Sequence, residues 1–179
     1  MLQHEGDPSR RAVILPGVRY LSQAPLLWFA RETAQAHGWS VAEVDERAPA
    51  GEEPFGWMRG QAERALEAAA GAEYVVVIGK SLGSSAASLV TGPAIWLTPL
   101  LDRDEIVAAL ESAAAPTLLV GSPADPTWGD GRVPENPSLQ VLELEGLDHS
   151  LQVSGDPLAS LDVLRRVTER VDAFVGALA

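Results

Sequence analysis

Six short apolar runs, each set off from the next by a longer stretch, limit what this chain can become more than any other feature. RAVIL (Arg11–Leu15), SVAEV (Ser40–Val44), YVVVI (Tyr74–Ile78), AIWLT (Ala94–Thr98), TLLV (Thr117–Val120) and LQVLEL (Leu139–Leu144) read as strands. Several are continuously apolar rather than alternating, as parallel strands covered on both faces must be. Between them the pattern predicts helices over Pro25–His37, Trp57–Ala70, Leu82–Val90 and Arg103–Ala114. Pro25 suits a first turn, Gly38 and Gly71 suit the position just past a helix end, and Pro93 and Pro116 bar further extension. A last helix over Pro157–Leu178 carries an apolar stripe of Leu158, Leu161, Leu164, Val167, Val171, Phe174 and Leu178. Strands joined by crossovers, all but one helical, predict an α/β fold: a single-domain doubly wound sheet of about six parallel strands.

A chain of 179 residues, 46% hydrophobic, buries one good core and leaves little room for a second domain. The polar segment Met1–Arg10 reads as a mobile tail ahead of a domain over residues 11–179. With no cysteine, disulfides and thiolate metal sites are excluded, and a nucleophile must be an oxygen or a nitrogen. A formal charge of −12 argues against a nucleic-acid partner, which needs clustered Lys and Arg. The amino terminus MLQHEGDPSRR has no apolar leader region, and no stretch approaches the roughly 20 apolar residues of a membrane span. A soluble, cytoplasmic protein is expected.

Within YVVVIGKSLGSS (Tyr74–Ser85) two motifs compete. Gly79-Lys80-Ser81 resembles the end of a phosphate-binding loop, but that motif needs a glycine five residues earlier, and Tyr74 stands there with four strand residues between. Gly79-Lys80-Ser81-Leu82-Gly83 fits instead the GxSxG turn that presents a nucleophilic serine between a strand and a helix. Glycines 79 and 83 remove side chains where the two elements crowd the turn, and Ser84, Ser85, Ala86 and Ala87 are small enough to lie against a sheet.

Such a serine needs a base and an acid further along the chain. Of three histidines, His4 lies in the polar tail and His37 in the last turn of a helix, whereas His149 follows the sixth strand in GLDHS. Asp125 follows the fifth strand in GSPADP, at the start of the irregular stretch Gly121–Ser138, whose four prolines and three glycines forbid a regular helix. Asp102, after the fourth strand, is the runner-up. Asp148 would have to fold back on its own neighbour, and Asp130 lies further out in the loop.

At Ser81, Asp125 and His149 the chain resembles the α/β-hydrolases, and within them the small capless, dienelactone-hydrolase-like serine hydrolases. The resemblance covers about Arg11 to Leu178. It departs from larger members in lacking their first two strands and in having only LTPLLDRDE where others insert a lid. It implies that the turn LPGVRY (Leu15–Tyr20), with Pro16-Gly17 in place of a frequent His-Gly, supplies one oxyanion amide. The backbone N–H groups of Val18 and Leu82 are the expected donors. The first and third strands should flank the point where strand order reverses, where ligands bind in such sheets.

The activity implied is hydrolysis of a small ester, thioester or lactone through an acyl-enzyme on Ser81, with no cofactor or metal required. Two alternatives stand beside it: a non-catalytic module of the same fold, and an acyltransferase using the same three residues. Gly17, Arg19, Tyr20, Lys80 and Trp128 are candidates to line the substrate site. Trp96, in the fourth strand, either lines an acyl or alcohol pocket or lies in the core, and Trp28, Trp39 and Trp57 are expected in packing roles. Lys80 is the only lysine against twelve arginines, and its ammonium either turns into solvent or favours anionic substrates.

Overall fold

The computed structural model describes residues 1–44, 48, 50–129 and 131–178. Its sheet has seven strands, in the order β1-β3-β2-β4-β5-β6-β7. They are β1 (Leu2–His4), β2 (Asp7–Leu15), β3 (Trp39–Glu43), β4 (Tyr74–Lys80), β5 (Ala94–Leu97), β6 (Thr117–Gly121) and β7 (Leu139–Glu143). β2 to β7 pair in parallel, and β2 lies between β3 and β4, so strand order reverses at the carboxyl ends of β2 and β4.

Period-two alternation sorts the strand side chains into two cores. Ala12, Ile14, Val76, Ile78, Ile95, Leu97, Leu118 and Val120 face α1 (Pro25–Ala36) and α4 (Pro157–Gly176). Val13, Leu15, Val77, Ala94, Trp96 and Leu119 face α2 (Pro54–Ala69), α3 (Asp104–Glu111) and a 3-10 helix over Ser81–Leu89. Helices on both faces explain why strands of uninterrupted Val, Ile and Leu are stable here: neither face meets water.

Four expectations are corrected. Residues 1–10 are ordered into the sheet: Leu2–His4 pair antiparallel with β3, and β2 begins at Asp7. His4 rests against the carboxylate of Glu43, which is fully buried in β3 and also receives Arg31 Nη1 at 3.2 Å. A side chain at position 6 would meet the Trp39 carbonyl at 2.4 Å, so Gly6 lets the segment lie flat on β3. The sheet thus gains a strand at the edge where strands were expected to be lacking. Second, α2 begins three residues earlier than predicted, because the Glu53 carboxylate caps the amides of Phe55 and Gly56 and Pro54 occupies the first turn. Third, the helix expected over Leu82–Val90 is a 3-10 helix over Ser81–Leu89. Fourth, the buried face of α4 runs through Val163, Val167, Val171, Phe174 and Val175, while Leu158 and Leu161 are 74% and 60% exposed. Among the described residues no helix is long and apolar enough to cross a membrane.

Candidate active site

Ser81 is the first residue after β4, held at φ 50°. That left-handed backbone is costly for a residue with a Cβ and is tolerated where surrounding packing dictates it. The packing is visible at the two flanking glycines. A Cβ on Gly79 would lie 2.5 Å from the Trp96 ring, and one on Gly83 would lie 2.6 Å from the Leu15 carbonyl oxygen. Ser84 Oγ donates to the Ser81 carbonyl at 2.6 Å and accepts from the Leu100 amide at 3.1 Å, tying the turn to the loop after β5.

The acid loop leaves β6. Asp125 caps the short 3-10 turn Pro126–Trp128: its Oδ1 accepts from the Thr127 amide and from Thr127 Oγ1, each at 3.0 Å. That leaves Oδ2 for His149 Nδ1, 2.6 Å away. The base loop leaves β7, and its shape comes from Asp148, whose Oδ1 accepts from the amides of Ser150 at 2.8 Å and Gln152 at 3.0 Å. Ser122 Oγ joins the two loops by accepting from Ala124 at 3.3 Å and Leu147 at 3.1 Å. The other ring nitrogen, His149 Nε2, lies 2.7 Å from Ser81 Oγ.

The three strand ends therefore bring hydroxyl, imidazole and carboxylate into one hydrogen-bonded line. Asp125 is 1% exposed and Ser81 8%, while a third of the imidazole remains open to solvent. Burial alone would raise the Asp125 pKa, but the hydrogen bonds from His149 and Thr127 outweigh it and hold the carboxyl below its usual range. Asp102 is exposed, and its backbone is engaged by Thr127 and Arg132. Asp148 is committed to its own loop. Asp130 lies outside the described residues.

Around this line the other candidates separate. Gly17 abuts the serine: a Cβ there would be 3.2 Å from both Ser81 Cβ and Lys80 Cδ. Gly17 and Tyr20 close the turn after β2 by paired backbone hydrogen bonds, which leaves Val18 and Arg19, at φ 56°, at its tip. Val18, Arg19 and Leu82 line a cleft of about 210 Å³ together with Pro54, Trp57 and Met58. A larger groove of about 390 Å³ lies beyond Tyr20, between the starts of α1 and α4, and neither Ser81, Asp125 nor His149 lines it.

Trp128 lines neither the cleft nor the groove. It is 3% exposed, lies over Gly121, where a Cβ would be 1.9 Å from its ring, and donates Nε1–H to Glu143 at 2.9 Å. Trp57, assigned to packing alone, has part of its surface on the cleft. Lys80 neither turns into solvent nor reaches the cleft: it is 1% exposed, and Nζ donates to the His149 carbonyl at 2.9 Å.

Thr127, Ser84 and Ser122 were missed from the sequence. Thr127 alone left a signal there, since Asp-Pro-Thr is a capping pattern in which the residue two past the Asp returns to it. Among the described residues no cluster of His, Asp and Glu could hold a metal ion.

No protein-family profile matches the chain, and no curated protein matches it. Solved structures do. An esterase from Butyrivibrio proteoclasticus, solved with ferulic acid bound, is 13% identical at a TM-score of 0.72, over 99% of this chain and 94% of that one. A serine hydrolase without a lid from Xanthomonas campestris is 13% identical at a TM-score of 0.70, covering 98% of this chain and 87% of the other. The esterase domain of a Rhodothermus marinus protein is 17% identical at 0.65, covering 96% and 89%. The fold they share with this chain is the α/β-hydrolase fold.

Proposed function

We propose that this protein is a serine hydrolase acting on a small ester, thioester or lactone through an acyl-enzyme. The reading rests on one observation, the unbroken line from Ser81 Oγ through the imidazole of His149 to Asp125 Oδ2. His149 takes the serine proton as Oγ attacks the carbonyl carbon, then delivers it to the departing alcohol, thiol or ring oxygen. Asp125 fixes the tautomer that leaves Nε2 free to accept and stabilises the imidazolium formed in between. The same base then activates water, which releases the acid and regenerates the serine.

Charge that develops on the carbonyl oxygen needs donors on the far side of the reacting carbon. The Val18 and Leu82 amides are assigned that role, because both residues border a cleft whose lining includes Gly17, the residue that abuts Ser81. The same cleft is assigned the acyl group. Apart from Arg19 its walls are apolar, with Val18, Leu82, Pro54, Trp57 and Met58 among them, and its size of about 210 Å³ suits a short chain rather than a fatty one.

Hydrolysis of a panel of p-nitrophenyl esters from acetyl to decanoyl, with a feruloyl ester included, tests the reading. The expected result is turnover that falls with chain length and vanishes in Ser81→Ala. Parental turnover in Ser81→Ala would sink the assignment.

A further inference from the structure

Acyl transfer as written does not use Lys80, yet the chain buries its one lysine beside the nucleophile. The stem passes beneath the turn after β2, with Cδ 3.2 Å from where a Cβ on Gly17 would sit. Nζ is 4.8 Å from the centroid of the Tyr20 ring and donates to the His149 carbonyl. Tyr20 is anchored in turn, its hydroxyl accepting the Leu26 amide at the start of α1 at 3.0 Å. One ammonium thus touches the turn after β2 and the base loop, and its backbone belongs to the serine turn. The charged groups that face it are Asp125 from the acid loop and Asp148 beside His149, and both attract it. Burial still lowers its pKa to about 8, so the position carries a solvation cost that an apolar side chain would not.

We propose that Lys80 is a positioning residue, which ties the base loop and the oxyanion turn to the serine turn and so keeps the His149 imidazole aligned on Ser81. This rests on the functional reading above for its kinetic consequences but not for its structural ones. Lys80→Met keeps the length of the stem and removes both the donor and the charge. Misplacing a reacting group by about an ångström can cost on the order of 100-fold. The variant should therefore lose about 10- to 100-fold in kcat on a short neutral ester, with KM within about threefold and a melting temperature at pH 7 no lower than the parent's.

Rescue is available because the chain has no cysteine. Lys80→Cys, alkylated while unfolded with 2-bromoethylamine and then refolded, carries a sulfur-containing lysine at this position alone and should regain most of the lost kcat. NMR provides a readout independent of turnover. The downfield Nδ1–H proton of His149, assigned by its loss in His149→Gln, should be sharp in the parent, broadened in Lys80→Met and sharp again after alkylation.

Parental kcat together with a parental Nδ1–H signal in Lys80→Met would overturn the proposal. So would a loss confined to KM for anionic esters, which would make Lys80 a substrate-charge residue. If the parent itself neither hydrolyses esters nor reacts with a fluorophosphonate, the functional reading fails, and the NMR comparison still decides whether Lys80 orders the base loop.

Discussion

Ser81 holds a backbone angle of 50° that suits neither strand nor helix, and its hydroxyl gains from that strain a position clear of both. Ser81→Ala keeps a Cβ and adds no new backbone strain, so the variant should fold as the parent does while turnover falls by about 10,000-fold or more. Circular dichroism together with ester hydrolysis separates the two effects. Asp125→Asn should cost a comparable factor, because an amide at this place can hold the imidazole in the wrong tautomer. Thr127 provides a finer test. Its hydroxyl donates to Asp125 Oδ1 and lies 3.0 Å from His149 Nδ1. Removing it in Thr127→Val should lower kcat about tenfold, the worth of one hydrogen bond to a charged group, while Thr127→Ser should recover most of the loss. Equal kcat in parent and Thr127→Val would remove Thr127 from the account.

Among the elements, the serine turn depends on how closely the 3-10 helix approaches β2. Gly83→Ala would drive a methyl group to 2.6 Å from the Leu15 carbonyl, a backbone atom with no freedom to retreat. A loss of about 2–3 kcal/mol in urea unfolding is expected, with a still larger fall in activity as the serine moves. Deleting residues 1–5 removes β1 and takes His4 from the buried Glu43, which should cost about 1–3 kcal/mol. The central strands were legible because Val, Ile and Leu ran unbroken through them. β1 was not, since Leu2-Gln3-His4 is too short to show a period and its reason for pairing lies in Glu43, 39 residues away. The exposed Leu158 and Leu161 misled for a related cause: they continue the spacing of Val167 and Val171, but the start of α4 stands clear of the sheet. Ser81, Asp125 and His149 could be picked out because each follows a strand. What Lys80 and Trp128 face is set by tertiary packing, to which local spacing is blind.

At the scale of the whole molecule, the titration of Lys80 should be felt by the fold. Burial lowers its pKa from 10.5 to about 8, with Asp125 and Asp148 pulling it back upward. Between those values the unfolded chain holds a proton that the folded chain has released, so this group's contribution to stability rises with pH across the interval. The full change is on the order of 3 kcal/mol, at about 1.4 kcal/mol per unit. In urea denaturation, the stability difference between parent and Lys80→Met should be flat below pH 7 and shift in the parent's favour from pH 8 to 10.5; a flat difference throughout would mean the amine is hydrated. The account as a whole depends on a serine made nucleophilic by a histidine brought to it from the far end of the chain. Intact-mass and peptide-mass measurement after brief exposure to a fluorophosphonate tests this most directly. One adduct on Ser81 in the parent, formed at least about 100-fold more slowly in His149→Gln, is the predicted result. No adduct on Ser81, or the same rate in both proteins, would contradict it.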